Sequence, residues 1–163
     1  EHLRAPARGE VRCRGPAVGR EPRGGRGVGL GMRAQGLDTT IYTLLLERGH
    51  SITDGIQHTR TPNLDLVPAN IDLSAAEVQL VGEVAREQIL ARVLRQVADR
   101  YDVILIDCQP SLGLLNVNAL TAAHAVLIPM ECEYFALRGV PLQVETVEKG
   151  RVRLNQAITL DGI

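Results

Sequence analysis

The sequence predicts an α/β fold, a parallel sheet flanked by helices on a doubly wound plan. Two apolar runs and the spacing of the residues between them carry that prediction. Val103-Ile104-Leu105-Ile106 leads straight into Asp107, and Ala125-Val126-Leu127-Ile128 leads into Pro129. Continuous apolar runs of this kind suit strands buried on both faces. Around them apolar residues recur at helical spacing, and strands alternating with helices indicate parallel βαβ units. The length, 163 residues, is that of a single ordinary domain.

Residues 1–36 differ in composition from everything after them. They hold eight Arg, nine Gly, three Pro and four Ala. Eight Arg against three Glu gives this segment a net charge of +5, and the remaining residues carry −6. It contains no apolar run long enough for a buried strand. Such a segment buries too little surface to offset its ordering entropy, so it is expected to be disordered, or else a mis-framed or decayed start. Arg/Gly-rich tracts also bind nucleic acid through phosphate contacts, but no aromatic residue stands here to stack on bases. The folded domain is therefore placed at 37–163.

Within it the elements follow in order. Asp38 or Thr39 caps a helix through Leu44-Leu45-Leu46 that stops near Gly49, and a short helix starts at Ser51. Residues 63–67 alternate and run into Pro68, as a short strand ending at a turn does. A helix is predicted over 72–81, with Ser74 and Glu77 spaced as a capping box. Over 86–99, Ile89, Leu90, Val93, Leu94 and Val97 fall on one helical face. The strand at 103–107 follows, then a helix over 114–123 and a strand over 125–128. A long amphipathic helix over 134–154, interrupted only by Pro141, precedes a last strand beginning at 157–160.

Asp107 is the first candidate for chemistry. An acidic residue at the carboxyl end of a parallel strand sits where open α/β sheets bind their ligands. That is the layout of a Walker B strand, whose aspartate serves the magnesium of a bound nucleotide. An ordinary core strand ending in an Asp-initiated turn fits the same segment. Cys13, Cys108 and Cys132 show no metal spacing, and the last two, flanking buried strands, read as packed small hydrophobes. His2, His50, His58 and His124 are scattered, as surface or helix-end residues would be. With no apolar run of membrane-spanning length and no signal-peptide pattern, the expectation is a cytoplasmic protein.

Further segments extend the reading. Pro110-Ser111-Leu112-Gly113-Leu114-Leu115 follows Asp107, and Met130-Glu131-Cys132-Glu133-Tyr134-Phe135-Ala136-Leu137-Arg138-Gly139 follows Pro129. Asn63-Leu64-Asp65-Leu66-Val67-Pro68-Ala69-Asn70-Ile71-Asp72-Leu73-Ser74-Ala75-Ala76-Glu77 lies upstream. Together, in this order, they resemble the ParA/Soj family of chromosome- and plasmid-partitioning ATPases over 37–163. The resemblance implies a P-loop NTPase-like fold that uses ATP and magnesium and dimerises on ATP. It also implies non-specific DNA binding, nucleoid association and stimulation by a ParB-type partner, with no membrane. It assigns Asp107 the Walker B role, holding magnesium through water only when nucleotide brings the metal.

The chain departs from the family in three places. The family opens with a strand and a KGGxGKT loop whose amides and lysines hold phosphate. No segment here matches that loop, so no cofactor-binding residues are identifiable, and the one lysine is Lys149. The family's D-x-D-P-Q-G-N segment falls on Glu21-Pro22-Arg23-Gly24-Gly25, before Gly29-Leu30-Gly31. On that register Glu21 takes the place of the aspartate that positions the attacking water; chance agreement in a Gly/Arg-rich stretch explains the match as well. The family also continues past residue 163, so the resemblance implies a fold incomplete at both ends. Three functions follow: a fragment of a ParA-type ATPase, a non-catalytic remnant or partner-binding fragment, and a MinD-like membrane-cycling ATPase. The third is disfavoured by 63–77 and 132–139.

Overall fold

The computed structural model describes residues 10–14, 39–47, 49–60, 62–69, 73–108, 113–128 and 134–162. A four-stranded sheet runs in the order β2 (Gln57–His58), β3 (Leu64–Val67), β1 (Glu10–Arg14), β4 (Val103–Asp107). Strand β1 pairs in parallel with both β3 and β4, and β2 is an antiparallel edge. A separate parallel pair joins β5 (Ala125–Leu127) to β6 (Thr159–Gly162).

Strand β1 corrects the expectation that residues 1–36 contain no strand. Its sequence, Glu-Val-Arg-Cys-Arg, carries little apolar signal. Pairing on both edges supplies its backbone donors and acceptors with partners, and that outweighs side-chain preference.

Helices α1 (Ile41–Leu46), α3 (Leu73–Leu80), α4 (Ile89–Leu94) and α5 (Leu114–Ala122) share the core with β3. Ile41, Leu44, Leu45, Ile52, Val67, Leu80, Leu90, Val93, Leu94 and Val97 are all buried in it. Each such side chain contributes about 1.5–3 kcal/mol when fully removed from water. Helix α1 starts where the Ile41 N–H donates to the Pro68 carbonyl at 2.9 Å, and its cap is Thr40, one or two residues later than predicted. Gly49, at φ +99°, lets the chain turn away after it. Helix α2 (Ile52–Gly55) is capped by Ser51, with Asp54 completing a capping box.

Two helical expectations change in detail. Ser74 lies inside α3, whose range starts at Leu73, and not at the N-cap position the predicted box requires. The helix predicted over 86–99 is broken into a 3₁₀ turn (Arg86–Gln88), α4 and a second 3₁₀ turn (Ala98–Arg100). The predicted apolar face is buried all the same. The break begins at Ala85, held left-handed at φ 54°, ψ 37°, a conformation that costs a non-glycine residue about 1–2 kcal/mol.

Helix α5 is the crossover between β4 and β5. Its Asn118 is fully buried; Oδ1 accepts the Leu90 N–H at 3.1 Å, while Nδ2 donates to the Arg86 and Leu114 carbonyls at 2.8 and 3.0 Å. At the far end, Asn155 Nδ2 donates to the Leu120 and Ala123 carbonyls. Helix α6 (Tyr134–Arg153) then leads to β6 and retains Pro141 within it.

Replacing Asn118 with Ala strands one buried N–H and weakens two carbonyls. The expected loss is about 2–4 kcal/mol, read as a lower urea midpoint at unchanged slope. Ala85→Gly should act in the opposite direction, raising stability by about 0.5–1 kcal/mol in the same measurement.

Candidate functional site

Parallel register brings three strand ends to one edge of the sheet. Cys13 of β1 stands opposite Val67 of β3, and Arg14 stands opposite Asp107 of β4. The start of α1 is tied to the same edge through Pro68. This carboxyl edge is where open α/β sheets take ligands. Asp107 lies there, exposed, at the last position of β4. Among the described residues its carboxylate makes no hydrogen bond or ion pair.

The strand itself is less enclosed than predicted. Val103 is 47% exposed and Ile104, Leu105 and Ile106 are half-buried. Leu127 of β5 is 66% exposed, against the expectation of a buried strand. Among the described residues β4 hydrogen-bonds on one side only, to β1, and β5 on one side only, to β6. An edge position leaves side chains without neighbours on that flank, whatever their polarity.

Cys108 is not the packed hydrophobe expected. The residue is exposed, although its sulfur is tucked 3.9 Å from the Ile106 carbonyl. Desolvation of the sulfur, and then the Asp107 charge beside it, push the thiol up to about 11. Among the described residues the histidines join no metal grouping. His50 lies 3.4 Å from Glu47, and His58 Nδ1 lies 2.6 Å from Asp65 Oδ1. The other Asp65 oxygen accepts from the Tyr101 hydroxyl at 2.7 Å, so this network fastens the β2 edge to the start of β4.

Glu21 lies outside the described residues, as do Gln109, Pro110 and Ser111. Lys149 is on α6 and pairs with Glu145 at 2.7 Å, which holds the Glu145 carboxyl below its usual range. A cavity of about 540 Å³ borders α5 and α6, walled by Arg86, Gly113, Leu114, Leu120 and Gly150; Asp107 is not part of it.

A lone carboxylate does not make a magnesium site. Among the described residues no group of three or more His, Cys, Asp or Glu is placed to hold a metal. Magnesium is held by one or two carboxylates together with phosphates and water, so Asp107 fits only as a single contact to a metal that nucleotide brings. Sequence reasoning missed Asn118 and the true partner of Glu77, which reaches across to α5. Asn118 did carry a signal, because Asn is poorly suited to a helix interior unless its side chain has specific partners.

Comparison with known proteins places this edge in context. A family profile described as an AAA domain matches residues 18–160, starting inside the Arg/Gly-rich segment. An uncharacterized protein of Mycobacterium tuberculosis is 54% identical over 157 residues, 96% of this chain and 49% of its own length. The chromosome-partitioning ATPase Soj of Treponema pallidum is 48% identical over 143 residues, 88% of this chain and 55% of that protein. The sporulation initiation inhibitor protein Soj of Bacillus subtilis is 41% identical over 143 residues, 88% of this chain and 56% of that protein. The chain thus spans about half the length of the curated relatives it matches. Among solved structures, cobyrinic acid a,c-diamide synthase from Mycobacterium smegmatis, with bound ATP analog and magnesium, superposes with a TM-score of 0.81 at 33% identity. That match covers 94% of this chain and 60% of the synthase. A plasmid partition protein from Borrelia burgdorferi, at 20% identity and TM-score 0.70 over 96% of this chain and 66% of its own, shares the fold.

The raised Cys108 thiol has a measurable consequence. At pH 8 its thiolate fraction falls roughly a hundredfold, but the higher-pKa thiolate is the better nucleophile, so alkylation by iodoacetamide, followed by residue-resolved mass spectrometry, should run roughly tenfold slower than that of an unshifted thiol. Asp107→Asn should recover part of that rate, since desolvation is the larger cause.

Proposed function

The chain belongs to the AAA-domain family that includes the Soj and ParA P-loop ATPases, and from this we propose that it is part of a ParA-type ATPase coupling ATP binding and hydrolysis to chromosome or plasmid partitioning. One observation carries the reading beyond the family: an exposed Asp107 at the carboxyl end of a parallel strand, on the edge where such sheets take ligands. The names of the Treponema pallidum and Borrelia burgdorferi relatives supply the partitioning role.

On this reading Asp107 contacts the magnesium that accompanies ATP, and Glu21 takes the place of the residue that positions water. Magnesium, when bound with nucleotide, supplies charge neutralisation on the phosphates. The chain's own part is to present one carboxylate at a fixed strand end. The partners are non-specific DNA, a ParB-type protein and a second copy joined through ATP, and the setting is the cytoplasm at the nucleoid. Among the described residues no helix is long and apolar enough to cross a membrane.

A second reading has its own support. The one lysine of the sequence is engaged with Glu145 on α6. With no KGGxGKT segment, the phosphates lack their usual lysines and amide cradle. A fragment that binds a partner without turning over ATP follows from this.

Titration of the purified 163-residue chain with a fluorescent ATP analogue separates the two. The expected result is no micromolar binding and no hydrolysis above background, with Asp107→Ala indistinguishable from the parent. Micromolar binding that Asp107→Ala abolishes would overturn that expectation. In the longer protein, ATP hydrolysis stimulated by DNA and a ParB-type partner, and lost in Asp107→Ala, is the outcome the partitioning reading requires.

A further inference from the structure

The cavity of about 540 Å³ between α5, α6 and residues 81–87 is not used by the proposed ATPase chemistry, since Asp107 does not line it. Its size falls within the range of about 300–1,000 Å³ typical of small-molecule sites. One wall is apolar. Leu114, Val117 and Leu120 recur every three residues on α5 and present a half-buried stripe over about 9 Å of helix axis. Val81 and Leu154, both exposed, extend that surface at its margins.

The opposite wall is one face of α6, formed by Thr146, Lys149, Gly150 and Arg153. Gly150 lets the two helices converge, because a Cβ there would stand 2.9 Å from Leu120 Cδ1. Beyond it, Asn155 Nδ2 donates to the Leu120 and Ala123 carbonyls, which holds the end of α6 against the carboxyl end of α5. Those carbonyl oxygens are thereby engaged.

The charges around the cavity are not equally available. Arg86 is engaged by Glu87 at 3.2 Å and by the Val81 carbonyl, and Lys149 pairs with Glu145. Arg153, exposed near the carboxyl end of α5, makes no hydrogen bond or ion pair among the described residues. The acidic groups lie at the other end. Glu87 lines the cavity beside Arg86, whose carbonyl shares the Asn118 amide with that of Leu114, and the Glu77 carboxylate crowds Gly113. An anion is therefore repelled from the amino end of α5 and attracted to Arg153. A guanidinium takes a carboxylate through two parallel N–H donors. We propose that this cavity binds a small amphipathic carboxylate, its head on Arg153 and its alkyl or aryl body along Leu120, Val117 and Leu114.

Octanoate, titrated without nucleotide into the ¹⁵N-labelled 163-residue chain, tests it. The expected result is saturable shifts of the Val117, Leu120, Gly150 and Arg153 amide signals, with one site per chain. Octan-1-ol keeps the apolar body without the charge and should bind about fivefold more weakly, the upper end for an exposed ion pair. Arg153→Gln should weaken octanoate by the same factor and leave octan-1-ol unchanged. Val117→Trp fills the groove from its apolar wall and should weaken both probes. Arg153→Gln alters only an exposed side chain, so it decides the matter even where Val117→Trp lowers the urea midpoint.

Absence of saturable shifts, shifts confined to other elements, or equal binding of octanoate and octan-1-ol would each overturn the proposal. So would an Arg153→Gln variant that binds octanoate as the parent does. No readout involves nucleotide, so the result stands apart from the ATPase reading, which the Asp107 assays decide.

Discussion

The buried amide of Asn118 is the contact on which the arrangement of helices depends. It lies with no exposure among apolar side chains and satisfies three backbone groups from the Arg86–Gln88 turn, α4 and α5. In a low-dielectric interior such a group is favourable only with every partner in place. It therefore selects one seating of α5 against α4, where apolar contacts alone would accept several. Asn155 does the same at the other end, taking two carbonyls that the helix leaves free.

The sheet has a comparable dependence on β1. Strands β3 and β4 do not pair with each other, so their relation is set by the strand between them. That strand is short and its sequence is poor in apolar residues, and its place is secured by backbone pairing on both edges. Asp107 owes its position at the carboxyl edge to this ladder. The exposure of Val103 and Leu127 follows from the same topology, since among the described residues β4 and β5 each hydrogen-bond on one side only.

Most elements after residue 37 were legible in the sequence because their signals are local. Ser51 before a short helix, the apolar run at 103–107 and Pro68 after a short strand each encode a cap, strand or stop within a few residues. The apolar face of Ile89, Leu90, Val93, Leu94 and Val97 was equally legible as a buried set, since periodicity records which side faces the core. Its continuity as one helix was not. Beside left-handed Ala85, the Arg86 side chain donates to the Val81 carbonyl at 2.6 Å and Asn118 takes the Arg86 carbonyl, while the turns after Leu94 close on their own backbone, Gln96 N–H to Val93 and Val97 N–H to Leu94.

The sequence by itself determined the α/β class, the family and the place of Asp107 at a strand end. Each of these depends on residue order over short stretches. Tertiary structure alone decided that β1 enters the sheet, that Cys108 is exposed, and that Glu77 reaches a helix other than its own. Those outcomes depend on partners 28 to 38 residues away or more, such as Asn118 on Leu90 and Glu77 on Leu115. Propensity and periodicity carry no term for a partner at that distance, so only the folded chain could reveal them.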